Sequence, residues 1–516
     1  MKEESKVRIC VPVCVKRVCD IAAAIARADE YADLIEVRLD GLSEPNIDRL
    51  GRELVSARLR SRCPIVFTLR PAEQSGLREL DKATRFGFWI SNGARLLCDS
   101  SNYADFEIDV AIAMESAEPY SPVPDWKRVI CSFHDVVGVP SGLENIYTQM
   151  AGTGVRILKI AVQADDITDC IPVLRLLERA RSEGREMIAI AMGEAGILTR
   201  ILGPSRGAFL TYGSLDGQHR TAPGQIRASD LRDLYRIHTL NERTEIMGLV
   251  GEHVMHSVSP HMHNASFSAS GLNSVYIPFE VRALGDFVRR MVHPRTREID
   301  WNLRGLSVTA PHKVAIMEHL DWIDPIATDI GAVNTVVIED GQIMGYNTEA
   351  EAAIAPLRRR IALVGARVAV IGAGGAARSI LWGLRKAGAH VTVFARDVER
   401  AGVTAKAFGS DCKRLDGANF GEFEVVVNTT PLGTRGISED ASPASASQLR
   451  AVKIAYDLVY NPLETRFMCE AREAGCQSIG GLEMLAVQAA EQFKIWTGRD
   501  ASLEIMRDAA LEALCK

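Results

Sequence analysis

The chain has 516 residues, too many for one hydrophobic core and enough for about three domains. A hydrophobic fraction of 47%, a charged fraction of 24% and a net charge of -6 exclude the basic excess that nucleic acid or an anionic membrane would demand. The charged opening Met1 to Lys6 has no apolar run behind it and no stretch approaches a spanning helix, so the expectation is a cytoplasmic enzyme of small molecules, monomer or homodimer, with no nucleic acid and no membrane.

Eleven cysteines are scattered along the chain, and Cys10, Cys14 and Cys19 form no CxxC pair, which favours reduced thiols over disulfides or zinc. His253, His256, His261 and His263 crowd together but lack the spacing of a two-turn helical ligand pair and any cysteine ligand. No metal is expected there.

Between Val7 and Gly213 short apolar runs alternate with helical patterns. The runs are Arg8 to Val15, Asp33 to Asp40, Pro64 to Arg70, Tyr103 to Asp109, Val129 to Asp135, Arg156 to Val162, Glu186 to Met192 and Gly207 to Gly213. Eight strands, each followed by a connection, predict an α/β fold in the form of a closed (β/α)8 TIM barrel. Helices are predicted over Val18 to Glu30, Ile47 to Arg60 and Ile167 to Glu183, and the connection after the fourth strand reads as short.

The sixth run, Ile157-Leu158-Lys159-Ile160-Ala161-Val162, sets a lysine inside a strand that reads as covered on both faces. Burying an ammonium is opposed by desolvation, which a neutral and nucleophilic amine escapes; snorkelling to the strand end or pairing with a carboxylate are the other ways out. Chemistry in such a barrel gathers at the C-terminal ends of the strands. The polar residues there are Glu36 with Arg38, Arg70, His134 with Asp135, Lys159, and Arg200 just beyond the seventh strand. Three arginines and a histidine predict a cationic pocket that favours the neutral form of Lys159 and receives an anionic substrate.

Several motifs in order resemble the type I 3-dehydroquinate dehydratases: Glu36-Val37-Arg38-Leu39-Asp40, Phe67-Thr68-Leu69-Arg70, Ser132-Phe133-His134-Asp135, Leu158-Lys159-Ile160-Ala161-Val162 and Thr221-Ala222-Pro223-Gly224-Gln225. The resemblance covers residues 7 to 238. It implies that Lys159 forms a Schiff base with a substrate ketone and that His134 takes the adjacent proton and returns it to the departing hydroxyl. It also implies that Arg200, Thr221 and Gln225 hold the carboxylate and hydroxyls, while Arg70, Glu36 and Arg38 fix the ring and the polar surroundings. The family's glutamate-glycine-glycine turn is replaced by Glu73-Gln74-Ser75-Gly76, which raises the question whether Glu73 stands in for the usual carboxylate beside the histidine.

The polar stretch Thr239 to Glu245 reads as a linker. Strands are predicted at Ile246 to Val250, Ser274 to Phe279, Gly305 to Val308 and Ala332 to Ile338, the last turning at Asp340-Gly341 into a hairpin. Then Arg367 to Ile371 runs into Gly372-Ala373-Gly374-Gly375-Ala376-Ala377 and a helix, with a further strand at His390 to Phe394. This GxGxxA between strand and helix is a dinucleotide-binding pattern, with the pyrophosphate at the helix N-terminus. Arg396 at the tip of the next strand favours the 2'-phosphate of NADP, whereas Asp397 after it either caps the following helix or accepts from the ribose of NAD. From Ala486 a helix is predicted to continue to Cys515 and return to the substrate lobe, with hinge closure between lobes as the expected motion.

Residues 246 to 516 resemble the shikimate dehydrogenases. The matching pieces are Ser257-Val258-Ser259-Pro260 with His263-Asn264, Ser307-Val308-Thr309 with Pro311-His312-Lys313, Gly331-Ala332-Val333-Asn334-Thr335, Gly345-Tyr346-Asn347-Thr348, Asn428-Thr429-Thr430-Pro431-Leu432-Gly433, Asp457-Leu458-Val459-Tyr460-Asn461-Pro462, and Gly481-Leu482-Glu483-Met484-Leu485 with Gln488. By that resemblance Ser257 and Ser259 bind a carboxylate, Thr309, Asn334, Tyr460 and Gln488 bind ring hydroxyls, and Lys313 is the acid/base group. Gly372, Gly374, Gly375, Ala376, Ala377, Arg396, Asn428, Thr429, Thr430 and Gly481 would face NADP. The family pairs its lysine with an aspartate where this chain has Glu349.

The expected domains are a barrel over 1–240, a substrate-binding lobe over 246–352 completed by about 486–516, and a Rossmann-like NADP-binding lobe over 360–485. The two resemblances imply one chain that dehydrates 3-dehydroquinate to 3-dehydroshikimate and reduces that product to shikimate. A quinate dehydrogenase in the second half, with NAD as its cofactor, and a catalytically silent regulator are the alternatives.

Overall fold

The computed structural model describes residues 7–515 except 58, 60, 118–124 and 218–220. Met1 to Lys6 and the end of the helix expected to reach Arg60 fall outside the described residues. The chain forms two units, one of the residues up to Thr244 with Phe279–Met291 and Glu298–Trp301, the other of Glu245–Pro278, Val292–Arg297 and Asn302–Lys516.

The first unit is built on eight parallel strands: β1 (Ile9–Val13), β2 (Leu34–Arg38), β3 (Ile65–Thr68), β4 (Tyr103–Glu107), β5 (Val129–Asp135), β6 (Ile157–Gln163), β7 (Glu186–Met192) and β8 (Thr211–Tyr212). Each pairs with its neighbour in chain order up to β7, and β8 returns to β1. A bridge from Met187 to Ala208 joins β7 to the segment before β8, so the barrel is nearly closed.

Alternation along these strands decides what faces the interior. Leu34, Val66, Ile130, Ile157 and Ala161 pack together in one core cluster, joined by Tyr103. Two residues further along each strand the same face carries Glu36, Thr68, Asp105, Ser132 and Lys159. The apolar floor and the polar mouth of the barrel therefore belong to a single period of two.

The connection after β4 is the nine-residue helix Ile108–Ser116, not the short link expected. It starts directly where the strand ends, and its buried Val110, Ala111 and Met114 continue the apolar pattern without a break. No turn residue marks the change of period, so the strand prediction overran to Asp109.

Two six-stranded sheets follow. The first contains β9 (Glu245–Gly251), β10 (Ser274–Glu280), β11 (Leu303–Val308), β12 (Trp322–Ile323), β13 (Thr335–Glu339) and β14 (Gln342–Tyr346), in the order β10-β9-β11-β13-β14-β12. Asp340 and Gly341 both take positive φ, 49° and 77°, as a two-residue hairpin turn requires. The second contains β15 (Arg367–Ile371), β16 (His390–Ala395), β17 (Asp411–Arg414), β18 (Val425–Asn428), β19 (Ile454–Asp457) and β20 (Gln477–Ile479). Its order β17-β16-β15-β18-β19-β20 is parallel throughout and reverses direction between β15 and β18, which opens a crevice at their C-terminal ends.

The C-terminal helix expected to be continuous is two helices, Gly481–Thr497 and Leu503–Cys515. Gly498 caps the first in the left-handed region at φ 68° and ends it. The second lays Met506 and Ala510 into a cluster with Met262 and Phe267 of the helix Ser259–Ala269. Met506 is fully buried there. Met506→Ala should therefore lower the unfolding free energy by about 2–4 kcal/mol, read by denaturant titration, and a loss below roughly 0.5 kcal/mol would contradict this packing.

Candidate active sites

In the first unit the structure gathers all eight residues expected from this half. Lys159, His134, Glu36, Arg38, Arg70, Arg200, Thr221 and Gln225 line one cavity that opens to solvent.

Lys159 is 4% exposed, and its Nζ lies 2.9 Å from Asp105 Oδ2, 2.9 Å from the Tyr212 hydroxyl and 3.4 Å from Glu36 Oε1. The expectation of a cationic pocket is thus corrected. Two buried carboxylates, Asp105 and Glu107, come from β4 and balance Lys159 and Arg70, with Arg70 Nη2 2.8 Å from Asp105 and Nη1 3.2 Å from Glu107. Sequence reasoning missed both, although acidic residues at 105 and 107 in an apolar strand share the inward face by period two.

Their environments pull the two acids apart. Burial disfavours charge on Asp105, yet Arg70 and Lys159 outweigh it and hold the carboxyl down to about 2. Burial dominates at Glu107 and pushes it up to about 7 against the pull of Arg70. His134 is held well below its ordinary value, first by burial and then by the positive charges of Arg70, Lys159 and Arg38. Arg70 Nη1 lies 3.0 Å from His134 Nδ1. An arginine only donates, so Nδ1 is the acceptor and the neutral ring carries its hydrogen on Nε2.

Arg38 is paired with Asp40 at 2.8 Å and also donates to the Ser75 carbonyl at 3.2 Å, which ties down the loop after β3. Arg200 differs from the other arginines. It is 1% exposed, no carboxylate pairs with it among the described residues, its Nε lacks a partner, and burial lowers its pKa to about 10. It remains charged at neutral pH and lacks only an anion. Nearby, the Thr221 amide and Gln225 Oε1 are 2.8 Å apart.

Glu73 does not stand beside the histidine. Its side chain is 61% exposed, 4.0 Å from Arg85. The neighbour of His134 is instead Gln74, whose Oε1 accepts from the His134 amide at 3.2 Å and which lines the cavity.

In the second unit Lys313 lies just beyond β11, and its Nζ is paired with Glu349 Oε1. Glu349 is buried at the start of the helix Glu349–Arg358, so its longer side chain still meets the lysine. Ser257 Oγ donates to Ser259 Oγ at 3.1 Å, and Ser257 also interacts with the half-buried Tyr460. Thr309 is half-buried at the end of β11, its amide on the Val250 carbonyl at 2.9 Å. Gln488 is half-buried on the helix Gly481–Thr497. Asn334 is engaged internally: its Oδ1 accepts from the Thr348 amide at 2.8 Å and its Nδ2 donates to Thr348 Oγ1 at 3.0 Å. That bracing fixes the residue before Glu349.

The dinucleotide pattern lies where the sheet order reverses. Gly372 has φ 108°, and a Cβ there would fall 2.6 Å from Thr429 Oγ1, so only glycine makes this turn. Gly374 precedes the helix Gly375–Lys386, whose first amides have no side-chain cap, and Ala376 and Ala377 form its first turn. An exposed N-terminus of this kind fits a pyrophosphate. Lys313 Cδ approaches within 3.3 Å of the position of a Cβ on Gly375, which places the lysine beside the loop. Asn428, Thr429 and Thr430 brace the neighbouring turn: Thr429 Oγ1 donates to the Ile371 carbonyl at 2.8 Å and Thr430 Oγ1 to Asn428 Oδ1 at 2.7 Å. Gly481 opens its helix against the Leu458 carbonyl. Arg396 is exposed at the end of β16 with no partner among the described residues. Asp397 caps the next helix, its Oδ1 accepting from the Arg400 amide at 3.0 Å.

Among the described residues no group of three or more His, Cys, Asp or Glu side chains is arranged to hold a metal, and no helix is long and apolar enough to cross a membrane. His263 is instead fully buried, stacked on Tyr276 at 4.4 Å.

Comparison with known proteins gives matches along the whole length. A model of type I 3-dehydroquinase matches residues 9–242, one of the shikimate dehydrogenase substrate binding domain 249–336, and one of the shikimate 5'-dehydrogenase C-terminal domain 481–511. A model described as NADP oxidoreductase, coenzyme F420-dependent, matches 367–434. The bifunctional 3-dehydroquinate dehydratase/shikimate dehydrogenase, chloroplastic, of Arabidopsis thaliana is 33% identical, covering 96% of this chain and 83% of that protein. A shikimate dehydrogenase (NADP(+)) of Moorella thermoacetica is 41% identical over 52% of this chain and 94% of its own length. A crystal structure of a shikimate dehydrogenase in complex with NADP+ is 36% identical with a TM-score of 0.50, covering 54% of this chain and 98% of that one. Family models matching each half and a relative that aligns across both lead to one conclusion: the chain belongs to the bifunctional 3-dehydroquinate dehydratase/shikimate dehydrogenase family.

Proposed function

We propose that Lys159 forms the covalent intermediate by which the first unit dehydrates 3-dehydroquinate to 3-dehydroshikimate, and that Lys313 with Glu349 handles the proton when the second unit reduces that product to shikimate with NADPH. The observation that carries the reading is a lysine buried among Asp105, Glu36 and Tyr212 in the same cavity as an arginine that lacks an anion.

Arg200, with Thr221 and Gln225, receives the substrate carboxylate, since a guanidinium without a counter-charge gains most from one. Glu36, Arg38 and Arg70 hold the ring. The Lys159 amine adds to the ketone carbon and water leaves, giving an iminium that stabilises loss of the neighbouring proton. His134 takes that proton at its lone pair, giving up the Arg70 contact. An imidazolium set among Arg70 and Arg38 is a strong acid, so it passes the proton on to the departing hydroxyl. A second water then frees Lys159.

In the second unit Ser257 and Ser259 take the carboxylate, and Thr309, Asn334, Tyr460 and Gln488 take the ring hydroxyls. Gly372, Gly374, Gly375, Ala376, Ala377, Asn428, Thr429, Thr430 and Gly481 shape the NADP cradle, and Arg396 meets the 2'-phosphate. When bound, NADPH supplies the hydride. Lys313 donates the proton that turns the ketone oxygen into a hydroxyl, and Glu349 holds its ammonium in place. The small acids of these two reactions are the partners of the chain. Its eleven free thiols fit a reducing compartment such as the cytoplasm, and a net charge of -6 offers nothing to nucleic acid or membranes; the working form is a monomer or homodimer.

Borohydride added during turnover of 3-dehydroquinate should reduce the adduct onto the peptide that carries Lys159, as read by peptide mass. Lys159→Ala should abolish both trapping and dehydration; full dehydration by that variant would sink the assignment.

His134 also makes a pH prediction. Below about pH 6.5 the unfolded histidine binds a proton that the folded one refuses, so this residue makes stability fall as pH drops from about 7.5 to 5.5. Glu107 works the other way, binding its proton in the folded state between 4.5 and about 7. The difference between wild type and His134→Gln cancels the Glu107 contribution. The variant should lose about 1 kcal/mol less over that interval, and parallel curves would contradict the assignment.

Arg396→Ala should raise the KM for NADPH on the order of tenfold and leave that for NADH within about twofold, since one charge-assisted contact to a phosphate is removed. An equal rise for both would remove Arg396 from the 2'-phosphate site.

A further inference from the structure

Ser379 is a fully buried hydroxyl one turn into the helix Gly375–Lys386, at a position that none of the steps above calls on. A buried hydroxyl has partners, and these partners are specific. Its Oγ lies 3.3 Å from Glu349 Oε2 and 3.3 Å from Asn347 Nδ2. Asn347 Nδ2 donates to the serine oxygen. Asn347 Oδ1, 3.5 Å away, already accepts from the amides of Glu349 at 3.0 Å and Ala350 at 3.2 Å. The serine hydrogen is therefore directed to Glu349.

The contact depends on two helices lying very close together. A Cβ on Gly383 would stand 2.9 Å from Ile354 Cγ2 and 3.0 Å from the Ala350 carbonyl. Glycine at that crossing lets the helix that begins at the dinucleotide loop reach the helix that begins at Glu349.

We propose that Ser379 is a positioning residue for the reductase: it donates to Glu349 Oε2 so that Oε1 is held toward Lys313. The inference rests on the reading of Lys313 and Glu349 as the proton-handling pair. A glutamate has one more torsion than the aspartate implied by the family resemblance, and its carboxylate sweeps a wider arc. Anchoring one oxygen removes that freedom and returns the other to a fixed place. The same hydrogen bond makes the position of the proton donor depend on the helix whose first turn serves the dinucleotide.

The test is a double-mutant cycle on the full chain with 3-dehydroshikimate and NADPH, using wild type, Ser379→Ala, Glu349→Asp and the double variant. Alanine is the better helix former, so Ser379→Ala keeps its fold, as a melting temperature within a few degrees would show. In the wild-type background it should lower kcat about tenfold with both KM values within about twofold, since a misplacement near 1 Å costs up to about a hundredfold. In the Glu349→Asp background the shorter carboxylate does not span Lys313 and Ser379, so the same substitution should change kcat by less than about twofold. Ser379→Thr, which keeps the hydroxyl, should restore most of the rate. Equal losses in both backgrounds, a loss confined to the KM for NADPH, or no loss at all would overturn the role of Ser379 and leave the reductase reading standing. A wild-type chain without reductase turnover would overturn both.

Discussion

The barrel depends on how its buried charges are balanced. Lys159, Arg70 and Arg85 are each 4% exposed or less, and an isolated cation at such a depth is opposed by several kcal/mol or more of desolvation. Asp105 resolves this by lying between Lys159 at 2.9 Å and Arg70 at 2.8 Å, while Glu107 bridges Arg70 and Arg85. With these cations matched, the carboxylates and hydroxyls around Lys159 would also supply acceptors for the proton that its amine must release in the proposed attack on a ketone. The charge that stays unmatched is Arg200. Among the described residues the cavity's arginines and lysine are thus paired with carboxylates except Arg200, which on the proposed reading would leave a defined place for one substrate anion.

The second unit meets the same problem with less burial. Lys313 is 13% exposed at its side chain and Glu349 6%, and the pair lies beside a glycine loop that must stay open to a dinucleotide. Here the order comes from helix termini. Asn347 caps the helix of Glu349 through two amides, Thr348 is held by Asn334, and Ser379 reaches across from the neighbouring helix. They set the direction of one carboxylate, which sets the direction of one ammonium.

Much of this was legible in the sequence for a physical reason. Strands alternate with period two and the loop-to-helix glycine pattern has one geometry, so the eight barrel strands and the dinucleotide fold could be placed from residue types alone. The errors share a different cause. The helix Ile108–Ser116 was lost because no glycine, proline or cap separates it from β4, and the break at Gly498 was lost because apolar residues resume on both sides of it. The pocket read as cationic because the fourth strand contributed none of the residues assigned to the strand ends, although Asp105 and Glu107 of β4 lie on its inward face. Ser379 carried no signal at all, since a serine in a helix is ordinary until its neighbour across the crossing is known.

The turn after β3 shows how a local sequence departure changes the chemistry. Glu73 offers a carboxylate but points to solvent and Arg85, while Gln74, one residue on, faces the cavity and can accept from the His134 amide without taking up a proton. Gln74 meets the main chain of His134 and not its ring, and among the described residues the charges that act on the ring, those of Arg70, Lys159 and Arg38, all oppose imidazolium. A carboxylate partner would store the proton on the histidine; this arrangement expels it. In the mechanism proposed above, removal of a proton from carbon would then depend on the acidity that the iminium gives the substrate, and its delivery to the departing hydroxyl would proceed from a strong acid. On that reading the balance of the two steps would rest on Lys159 holding the covalent intermediate and on Arg70 keeping His134 neutral between turnovers.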